Sequence, residues 1–378
     1  RPTAMLDRNL SYLSLVEVLY GYPIDGVILT TGCDKTTPAA LMAAATVNIP
    51  AIVLSGGPML DGVYKGKLAG SGMVVWEARK MLAKGEIKYE EFMDMVASSA
   101  PSAGHCNTMG TASSMNSVAE ALGMSLPGGA VIPAPYRERE QISYETGKRI
   151  VGMVHEDLTP SKILIRKAFE NAVVVASAIG GSSNCTAHLS AIAKHMGIKF
   201  DLSDWQKLGH NIPLLVNCQP AGEYLMESFH RAGAIPAVMR ELIKNKKIHT
   251  NIKTVTGKTV GENLRKKVDV DSKVIKTFKN ALTEKAGFLV MKSNFFSSAI
   301  MKTSVISKEF RDQYLSNPKH PNVFECKAIV FEGPEDYHKR LNDKKLKIDE
   351  NSILIIRGCG PVGYPGSAEV VNMQPPDR

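Results

Sequence analysis

The sequence lacks a long apolar run and a dense set of cysteines. No segment approaches the roughly 20 apolar residues that a membrane-spanning helix needs, and no signal peptide precedes the first predicted element, so we expect a cytoplasmic location. The 6 cysteines in 378 residues include no C-x-x-C pair. Their sparse spacing excludes a disulfide scaffold and gives no sign of a structural zinc site.

Aromatic side chains are also scarce, at 6% of the residues. The formal net charge of +9 would otherwise suggest a nucleic-acid-binding protein, but the lysines are spread along the chain. With few rings for bases to stack on and no recognised binding motif, we do not expect a nucleic-acid partner. A mild positive field suits a small anionic substrate.

Short apolar runs alternate with helical patterns over the first two-thirds of the chain. The predicted strands are residues 26–31, 51–55 and 172–176, and the predicted helices are residues 38–47, 75–84, 89–99 and 186–196. This alternation predicts an α/β fold with a mostly parallel sheet flanked by helices. In such sheets, ligands bind beyond the carboxyl ends of the strands.

The pattern changes near residue 244. Residues 244–285 are rich in Lys and Thr and are predicted to be surface loops and linkers, and short strands are predicted at residues 288–291, 328–331 and 352–357. We therefore expect an α/β domain over residues 1–285 and a smaller β-rich, barrel-like domain over residues 286–378. Both ends of the sequence look cut, so we expect a fragment with an incomplete C-terminal domain.

The segment Gly32-Cys33-Asp34-Lys35 lies between a predicted strand and a predicted helix, where backbone N–H groups and the positive helix end converge. A thiol is a soft ligand that suits iron–sulfur clusters, and a carboxylate is a hard ligand that suits magnesium. Lys35 either clamps a charge or becomes an oxygen ligand as its carbamate. Taken alone, the segment is more typical of a helix-start turn with a buried cysteine and a Lys–Asp surface pair.

A second loop, rich in Gly and Pro, brings Cys106 to the start of a helix predicted to end near Leu122. A helix N-terminus favours the thiolate. A buried cysteine beside tightly packed helices remains the alternative, and His105 is more typical of a hydrogen-bonded loop histidine than of a metal ligand. Together, the two loops supply two of the three or four thiolates that a cluster needs.

The residues Cys33-Asp34-Lys35-Thr36-Thr37-Pro38-Ala39 resemble the first signature of the dihydroxy-acid and phosphogluconate dehydratase family. Segments along the rest of the chain are similar to its sugar-acid branch, which contains L-arabinonate and D-xylonate dehydratases; they are residues 104–116, 133–137, 216–224 and 331–338. Branched-chain enzymes of the family usually have a Cys-Gly-Gly-Met-Tyr-Thr-Ala-type loop where this chain has Cys106-Asn107-Thr108-Met109-Gly110-Thr111.

This resemblance implies a [2Fe–2S] cluster held by three cysteines, of which Cys33 and Cys106 match two. It also implies a Mg²⁺ ion bound by Asp34, by Lys35 as its carbamate, and by Glu369. In the family, a third cysteine and another acidic ligand lie upstream of the Cys-Asp-Lys motif. The serine base lies in a segment that we expect beyond Arg378, so no catalytic residue is assigned within this chain.

The implied reaction is the dehydration of a sugar acid, such as L-arabinonate or D-xylonate, to a 2-keto-3-deoxy acid. The implied partners are this small anionic substrate and further copies of the chain in a dimer or tetramer, with no membrane. Three alternatives stay open: a dihydroxy-acid dehydratase of branched-chain amino acid biosynthesis, a phosphogluconate dehydratase, and a non-catalytic fragment of such an enzyme. We expect residues 1–378 alone to be inactive.

The remaining conspicuous residues are given less weight. The segment 180–186 resembles a family turn near the active site. The thiols that we expect to be buried and inert are Cys185, Cys218, Cys326 and Cys359. His188 and His195 are more typical of core or surface histidines than of ligands.

Overall fold

The computed structural model describes residues 4–294 and 298–358, which fold into helices and short strands. The described helices are α1 Ala4–Gly21, α2 Thr36–Val47, α3 Ser71–Ala83, α4 Tyr89–Ser98, α5 Thr111–Ala121, α6 Arg137–His155, α7 Arg166–Ala178, α8 Asn184–His195, α9 Leu202–Asp204, α10 Met226–Arg231, α11 Ala234–Lys244, α12 Val260–Asn263, α13 Lys308–Tyr314 and α14 Pro334–Arg340. The described strands are β1 Val27–Thr31, β2 Ala51–Ser55, β3 Val63–Tyr64, β4 Lys67–Leu68, β5 Phe288–Met291, β6 Ala299–Lys302, β7 Lys327–Phe331 and β8 Ser352–Ile356. Within these residues, no helix has the length and apolarity needed to cross a membrane.

Two units can be distinguished in the chain. Residues 11–305 form the larger one, and residues 4–10 with 306–358 form the smaller one. The predicted division at residue 285 is not tested by this arrangement and stays a prediction.

A parallel strand pair positions the first cysteine turn. Strands β1 and β2 pair in parallel from Val27↔Ala51 to Thr31↔Ser55, so both carboxyl ends lie at the same edge. Helix α2 follows β1 after the short turn at residues 32–35. Nine of its first ten residues are buried, and its alanines allow the neighbouring elements to pack closely against it. The predicted combination of helices and parallel strands is therefore confirmed, whereas one mostly parallel sheet flanked by helices stays a prediction, because the described strands form two-stranded sheets.

The predicted strand at residues 172–176 is wrong. These residues lie inside α7, which packs against α5, α8 and α11. Eight consecutive residues of this helix, 171–178, are buried. A helix that is buried on all sides gives a continuous apolar run, which periodicity cannot distinguish from a buried strand.

The segment 244–285 was predicted to be surface loop and linker, but much of it packs into the main core. Its side chains in that core are Ile248, Ile252, Val255, Val260, Leu264, Val274 and Ile275. They are interspersed with lysines and threonines in mostly irregular backbone. Because the apolar content of the segment is low, the sequence did not indicate that its isolated apolar side chains are buried in the core.

The described part of the smaller unit is built on a second parallel pair. Strand β7 pairs with β8 from Lys327↔Ser352 to Phe331↔Ile356. Buried residues Phe331, Tyr337 and Leu341 join this pair to α14. Within residues 4–294 and 298–358 the strands occur as two-stranded sheets and close no barrel; the barrel-like description of the C-terminal domain stays a prediction.

Candidate metal-binding and active site

The turn that carries Cys33 is closed by a threonine hydroxyl. Thr36 Oγ1 accepts hydrogen bonds from the backbone N–H of Gly32 at 3.2 Å and of Cys33 at 3.1 Å. The same hydroxyl lies 3.0 Å from the Cys33 carbonyl, to which it donates. These contacts fold the chain tightly between β1 and α2 and leave Cys33 exposed.

Asp34 and Lys35 form an ion pair in this turn, with Lys35 Nζ 2.8 Å from Asp34 Oδ2. Burial alone would raise the pKa of Asp34. The hydrogen bond and charge of Lys35, a hydrogen bond from Cys33 and the charge of His188 outweigh it, so the pKa of Asp34 lies below its usual value. Desolvation and the charge of Asp34 raise the pKa of the Cys33 thiol. The carboxylate is therefore ionised and ready to act as a hard ligand.

Cys106 lies in a loop whose neighbours are mostly distant in the sequence. Its Sγ atom is 2.8 Å from Ser71 Oγ and 3.2 Å from Thr108 Oγ1. The buried side chain of Asn107 accepts from the N–H of Ser71 at 2.9 Å and donates to the carbonyl of Leu60 at 2.9 Å. The half-buried thiol thus faces the start of α3.

Gly104 permits the close approach of another loop. It has φ +133°, and a Cβ atom there would lie 2.4 Å from the backbone nitrogen of Met59. Backbone hydrogen bonds join the two loops, from His105 N–H to Gly57 O at 3.0 Å and from Met59 N–H to His105 O at 2.9 Å. A side chain at position 104 would therefore separate the loops.

Asn116 connects the two cysteine turns. It is 1% exposed, and its Oδ1 accepts from the hydroxyls of Thr31 at 3.1 Å and Thr37 at 3.0 Å. Its Nδ2 donates to the carbonyl of Gly32 at 3.4 Å and lies 3.2 Å from His105 Nε2.

His105 links this amide to the second thiol, because its Nδ1 lies 3.0 Å from the carbonyl of Cys106. Burial lowers the pKa of His105 to about 4, so the ring is neutral near pH 7. The expectation of a hydrogen-bonded loop histidine is confirmed.

The turn at residues 180–184 adjoins the N-terminus of α5. Ser182 Oγ lies 2.8 Å from Thr111 Oγ1, and Asn184 Nδ2 donates to the same hydroxyl at 3.0 Å. Lys302 donates to the carbonyl of Gly180 at 2.6 Å, and burial lowers its pKa to about 8. Hydroxyl and amide groups of the 180–184 turn therefore contact the first residue of α5, the helix that follows the Cys106 loop.

Of the other predicted thiols, Cys185 and Cys218 are buried as expected. Cys326 is only half-buried, so the prediction of a buried thiol there is wrong. It lies immediately before β7, between the exposed residues Glu325 and Lys327. Cys359 lies outside the described residues.

The structure brings the Cys33 turn and the Cys106 loop into one region, since Asn116 forms hydrogen bonds with the Gly32 carbonyl and with His105. Two thiols, a carboxylate and a lysine are donors of the types that an iron–sulfur cluster and Mg²⁺ take, so the residues fit these groups in kind. Within residues 4–294 and 298–358, no group of three or more His, Cys, Asp or Glu side chains is arranged to hold a metal ion. Glu369, the further predicted magnesium ligand, lies outside the described residues.

Sequence reasoning missed Asn116, Ser71 and Asn107. Asn116 lay within a segment noted only for its family resemblance, and Ser71 is distant from Cys106 in the sequence. A buried polar residue in a helix of small residues was the one signal available, because such a side chain requires hydrogen-bond partners.

Two family models match the chain. Residues 2–263 match the dihydroxy-acid/6-phosphogluconate dehydratase N-terminal model, and residues 273–378 match the corresponding C-terminal model. The chain belongs to the dihydroxy-acid/6-phosphogluconate dehydratase family. The resemblance inferred from the Cys-Asp-Lys signature is therefore confirmed, and dehydratases of this family use a metal cofactor.

Relatives of this dehydratase family differ in their similarity to the chain. It is 62% identical to D-xylonate dehydratase of Caulobacter vibrioides, over 100% of this chain and 63% of the relative. Identity is 44% to L-arabinonate dehydratase of Rhizobium leguminosarum, over 100% of this chain and 64% of the relative. It is 37% to a dihydroxy-acid dehydratase of Caldicellulosiruptor saccharolyticus, over 98% of this chain and 64% of the relative. The chain thus spans under two-thirds of each relative's length.

Proposed function

We propose that the protein containing this chain is a hydro-lyase that dehydrates a sugar acid, such as D-xylonate or L-arabinonate, to a 2-keto-3-deoxy acid. The convergence of the Cys33-Asp34-Lys35 turn and the Cys106 loop on Asn116 supports this proposal. The higher identity to the two sugar-acid dehydratases than to the dihydroxy-acid dehydratase supports the substrate class.

Cys33 and Cys106 would hold a [2Fe–2S] cluster, and Asp34 with Lys35 as its carbamate would contribute to a Mg²⁺ site with Glu369. When bound, these groups supply Lewis acidity for loss of the C2 proton and departure of the C3 hydroxyl, which together amount to loss of water. Without metal, the protonated amine of Lys35 holds Asp34 ionised; as a carbamate, Lys35 would instead share the Mg²⁺ with Asp34 as a second anionic ligand. The hydroxyls of Thr111 and Ser182 and the amide of Asn184, which contact one another at the start of α5, would offer hydrogen bonds to a polyhydroxy substrate.

The experiment is anaerobic purification of the full-length protein, reconstitution with iron, sulfide and Mg²⁺, and assay on four acids. We expect formation of a 2-keto-3-deoxy acid from D-xylonate or L-arabinonate, with little turnover of 6-phosphogluconate or 2,3-dihydroxyisovalerate. Activity on 2,3-dihydroxyisovalerate alone would replace this proposal with the branched-chain one. Failure to take up iron would refute it.

Residues 1–378 assayed separately should bind the cluster weakly and show no turnover, since the described residues hold only part of a ligand set. Full activity of this chain would contradict that expectation. Cytoplasmic location and assembly as a dimer or tetramer remain part of the same proposal and are tested by cell fractionation and light scattering.

A further inference from the structure

The side chain of Asn116 contacts both of the segments that carry the candidate cluster thiols. It reaches from α5 to the end of β1 at Thr31, to the start of α2 at Thr37 and to the carbonyl of Gly32. On its other side it contacts His105, which precedes Cys106. One buried amide therefore touches both turns.

The direction of these hydrogen bonds follows from the surrounding atoms. A carbonyl oxygen only accepts, so His105 Nδ1, 3.0 Å from the carbonyl of Cys106, must carry the proton. The neutral ring then offers Nε2 as an acceptor, and Asn116 must present its NH₂ group there. Its Oδ1 consequently faces the two threonine hydroxyls, which donate to it.

This network has no spare acceptor or donor. Both protons of the Asn116 amide and both lone pairs of its oxygen have partners. A residue that merely filled space would not need four partners from three segments of the chain, and a buried polar group left unpaired would destabilise the fold. The arrangement therefore fixes one geometry between the turns.

We propose that Asn116 is a positioning residue that sets the spacing of the Cys33 and Cys106 thiols through its hydrogen bonds to the β1–α2 turn and to His105. The value of this spacing for cluster binding rests on the proposed function. The spacing itself does not, because it can be measured on the two thiols without metal.

The test uses the full-length protein without metal and a short bifunctional thiol reagent, dibromobimane, with peptide mapping of the product. In the unchanged protein, we expect a cross-link between Cys33 and Cys106. Asn116→Ala should lower its yield severalfold, while single alkylation of each thiol by monobromobimane continues and far-ultraviolet circular dichroism is retained. The matched control is Ser117→Ala, which removes a buried hydroxyl without a hydrogen-bond partner from the same helix and should leave the yield unchanged.

A second variant decides the matter if Asn116→Ala does not fold. His105→Ala removes only the link to the Cys106 loop, because the pairing of this loop with Gly57 and Met59 uses backbone atoms. It should also lower the yield of cross-link. A folded variant of either kind that cross-links as well as the unchanged protein would overturn the proposal.

The outcomes separate this inference from the proposed function. If the cross-link depends on Asn116 but the protein takes up no iron, the spacing role stands and the dehydratase proposal fails. If the protein is an active dehydratase and the cross-link is indifferent to Asn116 and His105, this inference alone is refuted.

Discussion

The turn at Cys33 is closed mainly by its own neighbours in the chain, whereas the loop at Cys106 is held mainly by residues distant in the sequence. Thr36 closes the first turn by contacts with Gly32 and Cys33, and Asn116 contacts the turn at the Gly32 carbonyl. The second loop depends on Gly57, Met59 and Ser71. A local turn can form wherever its short sequence occurs, but the second loop requires the folded domain. We therefore expect substitutions in the two regions to differ in cost.

The largest effect should come from a matched pair of glycines. Gly104→Ala places a Cβ 2.4 Å from the nitrogen of Met59 at a φ of +133°. We expect a loss of about 4 kcal/mol in the free energy of unfolding, from backbone strain and separation of the loops. A Cβ on Gly32 would meet no atom within 4 Å, so Gly32→Ala should cost less than about 1 kcal/mol.

Urea unfolding followed by tryptophan fluorescence measures both values, since Trp76 and Trp205 lie in the unit formed by residues 11–305. Equal costs for the two glycine variants would contradict the contrast between a local turn and a long-range loop.

The pH dependence of stability should come in part from Glu120 on α5, the helix that carries Asn116. Burial raises the pKa of Glu120 from 4.5 to about 7, although its carboxylate accepts from the N–H groups of Gly128 and Ala130. The native state therefore holds this proton to higher pH than the unfolded chain does. The free energy of unfolding should fall as pH rises from about 4.5 to about 7, by at most about 3 kcal/mol.

Glu120→Gln cannot ionise and should remove this part of the pH dependence, at the expense of one backbone hydrogen bond. Urea unfolding of both proteins between pH 4.5 and 8 provides the measurement. A Gln variant with the slope of the unchanged protein would show that another group is responsible.

Asn107→Ala tests the long-range loop at its hydrogen bonds. It leaves the N–H of Ser71 and the carbonyl of Leu60 without their partner, which should lower the free energy of unfolding by about 2 kcal/mol. The rate at which iodoacetamide alkylates Cys106 should rise, since the loop opens more often. The half-buried Cys326, in the smaller unit, is the internal control, and an equal rise there would indicate general unfolding instead.

The smallest effect is expected in the local turn. Thr36→Val removes the hydroxyl that accepts from Gly32 and Cys33, at a cost of about 1 kcal/mol because the turn is exposed to water. The rate at which iodoacetamide alkylates Cys33 should rise because the turn is no longer closed by this hydroxyl, and the rate for Cys106 should stay the same. If both thiols respond equally, the first turn is less independent than its contacts indicate.

The elements predicted correctly from the sequence are those whose signals are local. The strand Ala51–Ser55 and the helix Tyr89–Ser98 have short apolar runs or amphipathic patterns bounded by turn residues, and the structure places them within one residue of the prediction. The family signature at Cys33 is also local. The helix at residues 166–178 was missed because its apolar run arises from burial on every side.

The candidate site divides in the same way. Short segments of the sequence indicate the donor types, two cysteines and an Asp–Lys pair in loop-to-helix turns, because side-chain chemistry and turn residues need no distant partner. The sequence does not predict the contacts of both turns with Asn116 or the contact between Ser71 and Cys106.

By itself, the sequence determined the family to which the chain belongs and indicated the candidate ligand groups. Only the tertiary structure decided how the two thiols are held relative to each other. The physical reason is that a buried amide forms hydrogen bonds with the polar atoms that lie within about 3 Å of it in the folded protein. Which atoms these are depends on the packing of the whole domain. The turn at Cys33 is thus closed mainly by residues of its own segment, and its connection to the Cys106 loop through Asn116 is a property of the fold.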